Sequence, residues 1–344
     1  MTALRYAGAL LLLVIAVALP VFDGAPLAIT IAFYTLIFAI MATGWNILGG
    51  YSGYISLGHA AFFGVGAYTL GLLAQHYTIP GGYEPFFLLP VVGIITAIIA
   101  VPIGIITLRT RRHVFVVLTI AMLFIGQLLA TNLSTFTGGS SGLALPVPPW
   151  MGASFNYPYY YAALTVLVGA LLVSWWIRQS KFGLALLAIR DDEDRALGLG
   201  INTGLYKLAA FVLAALFIGM AGALWAYFVT YIYPQFAFDP LFDIAMVLMS
   251  FAGGVGTLAG PVLGAVLIEP AQQYLTLTYG NNGWSLVLYG ALFLVIILLL
   301  PQGIIPGLRT LWERYETRRR AEPPVTEART PVDRPVPRRE SANQ

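Results

Sequence analysis

Cysteine is absent from the 344 residues, and histidine occurs only three times. No disulfide, thiolate nucleophile or cysteine-based metal site is therefore available. His59, His76 and His113 are too scattered along the chain to suggest a metal cluster. Charge is scarce as well: 10% of the residues are Asp, Glu, Lys or Arg, against roughly 25% in an ordinary soluble domain. A phosphate-binding loop of the Gly-x4-Gly-Lys-Ser/Thr type is missing, which excludes ATP binding of that kind by this chain. Neither a cofactor nor a metal is expected.

What fills the chain is apolar residue, 59% of the total, with a mean hydropathy of +0.82. The apolar residues come in long blocks. A run of about 18 or more crosses a hydrocarbon core of ~30 Å as a helix. Ten segments are expected to do so, at 5–22, 27–48, 56–76, 86–108, 113–131, 159–178, 204–229, 241–252, 257–276 and 285–301. The first resembles a signal peptide but lacks a clear small-x-small cleavage site before Asp23, which favours a retained span. The eighth is short and reads as a partial or broken helix packed inside the protein. The fold class that follows is all-α, a polytopic integral membrane protein of about ten transmembrane helices.

The basic residues orient it. Arg5 precedes the first span, and Arg109, Arg111 and Arg112 form a tight turn. Arg178, Lys181, Arg190, Arg195 and Lys207 occupy or flank the 179–203 loop, and the rest lie in the tail. With both termini inside, all 18 basic residues fall on one side, while the external segments carry only Asp23, Glu84 and Asp239, with Asp243 just inside a span. Basic loops mark the cytoplasmic face. The net charge of +3 therefore reflects topology, not nucleic-acid binding. The expected division is a transmembrane domain over 1–308 and a mostly disordered cytoplasmic tail over 309–344. In the tail, Arg318, Arg319 and Arg320 are placed to meet anionic lipid, the plainer alternative being a solvated segment.

Four stretches stand out. In GWNILGGYSGYISLGHAAFFGVGAY (44–68), Gly49, Gly50 and Gly53 make a turn, and Gly58, Gly64 and Gly66 enter the next span. Close helix packing explains such glycines. The functional alternative is a lined path, with Gly53, Ser56, His59 and Gly64 along it. The external stretch 131–146 is either a plain loop or a set of amides offered to a substrate, with Gly139 and Ser140 at its centre. SFAGGVGTLAGPVLGAVLIEP (250–270) repeats the glycine turn, with Gly254 and Gly256, and places Glu269 deep in the ninth span. An intramembrane carboxylate is costly and is a functional candidate; the alternative is a carboxylate that reaches water at the outer end.

The fourth stretch, 181–207, is too charged to span. Over 182–197 it has helical character, with Phe182, Leu186 and Ile189 on one face. Arg190 with Asp194, and Asp191 with Arg195, are opposite charges at i, i+4. Its centre is the acidic run Asp191, Asp192, Glu193 and Asp194, which gains nothing from anionic lipid. A protein partner is the expected contact.

Taken in order, GYISLGHAAFFGVGAY, TGGSSGL, FGLALLAIRDDEDRALGLGINTGLYKLAAF and GGVGTLAGPVLGA resemble the permease subunits of branched-chain amino-acid ABC importers, and within them the second of the paired permeases. The resemblance runs from about residue 30 to about 300; the tail beyond Pro301 exceeds the family core. It implies a heterodimer with a second permease, two cytoplasmic ATPase subunits and an external substrate-binding protein, in the plasma (inner) membrane of a prokaryote. It also implies that 182–200 is the coupling helix, with Phe182, Leu186, Ile189, Arg190, Asp191, Asp192, Glu193, Asp194 and Arg195 engaging the ATPase. No catalysis is expected in this chain. The alternatives are an importer of the same type for urea or short amides, or an ATPase-independent secondary transporter, which usually needs an embedded ion-coupling row that is not evident here.

Overall fold

Prolines open most of the long helices, where their missing N–H costs nothing and their fixed φ suits the first turn; Pro26, Pro158, Pro240 and Pro261 are examples. The computed structural model describes residues 11–20, 25–150, 155–280 and 303–307, with single residues at 287, 290, 291 and 294. In chain order the helices are α1 (Leu11–Pro20), α2 (Pro26–Ser52), α3 (Ala60–His76), α4 (Glu84–Phe87), α5 (Leu89–Thr107), α6 (Arg112–Asn132) and α7 (Ser134–Thr137). They continue with α8 (Tyr157–Gln179), α9 (Lys181–Asp191), α10 (Glu193–Gly198), α11 (Thr203–Val229), α12 (Pro234–Ala237), α13 (Pro240–Gly253) and α14 (Gly260–Tyr279). Two short strands, β1 (Leu143–Ala144) and β2 (Tyr231–Ile232), pair antiparallel with Leu143 opposite Ile232.

Among the described residues, six helical segments are long and apolar enough to cross a membrane: Pro26–Ser52, Leu89–Thr107, Arg112–Asn132, Tyr157–Gln179, Thr203–Val229 and Pro234–Gly253. The chain is an all-α, multi-pass membrane protein with at least six candidate spans. The last of the six joins α12 and α13 across a break at 238–239, so the short eighth segment is preceded by its own helical turn. The helices at the expected third and ninth spans, α3 and α14, are not among those six; they begin at Ala60 rather than 56 and at Gly260 rather than 257, because the glycine-rich approaches are not helical. The tenth segment, Arg5 and the tail with Arg318, Arg319 and Arg320 lie outside the described residues.

The core centres on α11, which packs against α2, α3 and α5. Small residues set that spacing. A Cβ on Gly66 would lie 2.0 Å from the Gly219 carbonyl oxygen, and one on Gly222 would lie 1.9 Å from that of Phe63. The α3 and α11 backbones thus approach through glycine, as helices do in lipid, where hydrophobic burial cannot drive their association. Large aromatic rings fill the remaining space: Phe63 meets Trp225 and Phe242, and Phe33 stacks on Phe228. By contrast, α5 and α6 turn apolar side chains outward, among them Ile98, Ile106, Val117 and Leu128.

Candidate functional site

The charged stretch after α8 folds onto the bundle instead of standing clear of it. Ser180 opens α9 as its cap, accepting from the Gly183 amide at 3.3 Å. Leu186 and Ile189 are fully buried, and Phe182 stacks on Tyr206 of α11. The face expected from spacing is real, and it is spent on the protein's own helices. The helix expected as continuous over 182–197 is two helices. Asp192 is extended and caps α10, its carboxylate accepting from the Arg195 amide at 3.1 Å. Aspartate favours a cap over a helix interior, where its side chain competes with the backbone.

The break redirects the charges. The Arg190–Asp194 and Asp191–Arg195 pairs are replaced. Arg195 pairs with Asp192 at 2.9 Å, while Arg190 donates from Nη1 to the Gly50 carbonyl at 2.8 Å. Gly50 lies in the last turn of α2, so a cation meets the negative end of that helix. Arg112, at the head of α6, in turn donates to the Ile189 and Arg190 carbonyls at 2.8 and 2.9 Å, closing the C-terminal end of α9. Glu193 accepts from Lys207 of α11 and from the Tyr54 hydroxyl. Lys207 also sits 4.3 Å from the centre of the Tyr54 ring. Charge-assisted hydrogen bonds of this kind contribute about 1.5–3 kcal/mol each, whereas an exposed i, i+4 pair contributes only about 0.3 kcal/mol. Burial pushes the Glu193 carboxyl up, but the hydrogen bonds from Lys207 and Tyr54 and the Lys207 charge outweigh it and hold it below the usual carboxylate range. Burial, then the bond to Glu193, pushes the Tyr54 phenol up, so it stays a donor.

The two glycine turns meet under α9. Asn46 donates to the Thr257 carbonyl at 3.0 Å and accepts from the Gly256 amide at 2.8 Å. Gly256 has φ +77°, a conformation that favours glycine, and a Cβ there would lie 2.6 Å from Arg190 Nη1, so the guanidinium would have to shift. Gly53, at φ +73°, likewise faces Arg190. The turns therefore form one junction, tied by Asn46 and covered by Arg190. Gly254 is buried in the same turn, and Thr257 accepts from Gly260 at the head of α14.

Above this junction the chain between α2 and α3 runs without helix through 53–59, and most of it is buried. Its depth can be read against the neighbouring helices. Leu57 donates to Thr119, seven residues into α6, and His59 meets Phe211, eight residues into α11. At 1.5 Å per residue, α3 begins about 10–12 Å along the bundle from those helix ends. Its first amide, on Ala60, donates to Asp243 of α13 at 3.1 Å. A carboxyl oxygen from another helix thus satisfies the first amide of a helix that starts inside the bundle. Ser56 is tied locally: its carbonyl accepts from Trp45 Nε1 at 2.8 Å. The His59 ring lies fully buried between Phe62 and Phe211, and neither nitrogen finds a partner among the described residues.

The other expected pathway residues separate. Gly64 gives space to the Phe238 ring, 2.6 Å from where its Cβ would stand, so it packs. Gly139 is buried in a turn held by Thr137, and Ser140 is exposed at the far end of the molecule. Glu269 does not reach water: it is fully buried in α14, with one oxygen bonded to Gln273 at 2.8 Å. Spacing missed Tyr54, Asn46, Arg112 and Asp243 as members of the site. Asn46 and Asp243 had a signal, since each is a polar residue inside an apolar run.

The model of the family described as branched-chain amino acid transport system / permease component matches residues 27–297. The high-affinity branched-chain amino acid transport system permease protein LivM of Salmonella typhimurium is 30% identical over 326 residues, covering 87% of this chain and 74% of that one. LivM of Escherichia coli is 29% identical over the same shares. LivH of Salmonella typhimurium is 25% identical over 287 residues, 78% of this chain and 91% of that one. No solved structure matches the chain. The chain belongs to the family of permease components of branched-chain amino acid transport systems, and is a membrane permease rather than a catalytic subunit.

Proposed function

We propose that this chain is one of two paired permeases of an ATP-driven importer of branched-chain amino acids in the plasma (inner) membrane of a prokaryote. It has ten spans with both termini in the cytoplasm, residues 1–308 forming the permease and 309–344 a tail. The second permease completes the path, two cytoplasmic ATPases supply the energy, and an external binding protein delivers the substrate. The substrate class follows the names of the LivM relatives.

One observation carries the mechanism. The helices α9 and α10 are held by their inner face and bare on their outer one. Leu184, Leu187, Leu197 and Leu199 are exposed there, beside Asp191, Asp194 and Arg195. An exposed apolar patch with a charged rim fits a protein surface. The ATPase is the partner that fits, because the charge pattern puts this end of the bundle in the cytoplasm. ATP binding then moves α9, and the bundle shifts between outward- and inward-open states in proportion to the difference in affinity.

The test is reconstitution with the second permease, the ATPases and the binding protein. Uptake of leucine, isoleucine or valine is expected only with ATP and all partners, and Asp191→Lys with Asp194→Lys should abolish it while the protein still inserts. Uptake by this chain alone, without ATPase, would instead establish a secondary transporter.

A further inference from the structure

The residue that passes motion from the docking helix into the spans is not evident from the docking face. Of the charged residues on α9 and α10, Lys181, Arg190, Asp191 and Asp194 are exposed, Asp192 and Arg195 bond each other, and Glu193 bonds the head of α11. Arg190 alone among them reaches both glycine turns. Its Nη1 donates to Gly50 at 2.8 Å. The same nitrogen lies where a Cβ of Gly256 would be 2.6 Å away, and its Cγ lies 3.1 Å from that of Gly53.

Those three glycines belong to two different turns. Gly50 and Gly53 end α2 and lead into the unwound 53–59 segment that positions α3. Gly256 lies in the turn from α13 into α14. Asn46 already ties the two turns to each other, so a displacement at one is shared with the other. Close contact without side chains on the glycine side leaves little slack, since packed atoms transmit displacement rather than absorb it.

We infer that Arg190 is the transmission residue of the importer: it converts movement of α9 into a joint movement of the α2–α3 and α13–α14 turns. It is a positioning residue that touches neither ATP nor substrate, a role distinct from the ATPase contact that the family resemblance implies for it. The guanidinium suits the task because it is planar, permanently charged and rigid across its donors. The inference rests on the proposal that α9 receives the ATPase.

The chain lacks cysteine, so a single reporter is unambiguous. Ala259→Cys is exposed at the head of α14. In the assembled importer in lipid nanodiscs, adding ATP and vanadate, which traps ADP and vanadate in the ATPases after hydrolysis, should change the maleimide labelling rate of that cysteine several-fold. With Arg190→Ala added, the ATPases should still co-purify and the ATP-dependent change should vanish. Arg190→Lys, which keeps a donor within reach of Gly50, should recover part of it. If Arg190→Ala fails to accumulate in the membrane, Arg190→Gln carries the same expectation. An undiminished ATP response in Arg190→Ala would overturn the inference. So would loss of the ATPases from that variant, which would put Arg190 in docking. Were the parent reporter itself unresponsive to ATP, the proposal of an ATP-driven importer would fall first, and the inference with it.

Discussion

At the scale of single residues, the junction is governed by what each charge can reach. Glu193 is only 23% exposed at its side chain and has Lys207, itself almost buried, as its partner. Its carboxyl is held below the usual value of 4.5. A depressed carboxylate adds stability above its unfolded pKa, and that stability is lost as pH falls through the folded pKa. The clasp between α10 and α11 should therefore hold at neutral pH and open in acid, below pH 4.5. Hydrogen exchange of the α10 amides, followed against pH, measures this. Glu193→Gln should weaken the clasp by about 1.5–3 kcal/mol at pH 7 and flatten the acid dependence. An unchanged profile in that variant would mean that another group sets the opening.

At the scale of elements, the unwound 53–59 segment is the most constrained feature. Irregular backbone at membrane depth is tolerated where protein surrounds it, and here Trp45, Thr119 and Asp243 supply the missing hydrogen bonds. Asp243 stands in for the N-cap that α3 lacks in its own sequence, since His59 makes no side-chain cap. Asp243→Ala should lower stability in detergent by about 1–3 kcal/mol, the cost of a buried amide left unpaired. Asp243→Asn, which keeps an acceptor, should cost less. Thermal unfolding followed by tryptophan fluorescence would check the order, and equal losses would show that charge, not the hydrogen bond, is what α3 needs. The same logic explains the division of α9 from α10. Two weak surface ion pairs favoured one helix; a cap at Asp192 and a buried bond at Glu193 favoured two.

At the scale of the whole molecule, the proposed topology places Ser140 and Asp191 on opposite sides of the membrane. Single cysteines at these two sites should react with an impermeant maleimide from opposite faces of oriented vesicles, Ser140→Cys from outside and Asp191→Cys only from inside. Labelling of both from one face would remove the ten-span arrangement. The ends of α2, α13 and α9 and the heads of α6 and α11, which the basic residues assign to one side, do meet around Arg190, Asn46 and Glu193.

Hydrophobic length is a property of the chain read in order, so the sequence alone determined the all-α membrane class and the positions of the six candidate spans. The family followed from ordered glycine and charge motifs for the same reason. Which face of α9 looks inward, where Arg190 points, and why α3 starts inside the bundle were decided only in three dimensions. Each depends on a contact between residues far apart in sequence. Arg190 with Gly50 is 140 positions away from its partner, and Asp243 with Ala60 is 183 away. The local preference of either partner, worth a few tenths of a kcal/mol, is outweighed once such a buried or charge-assisted bond forms.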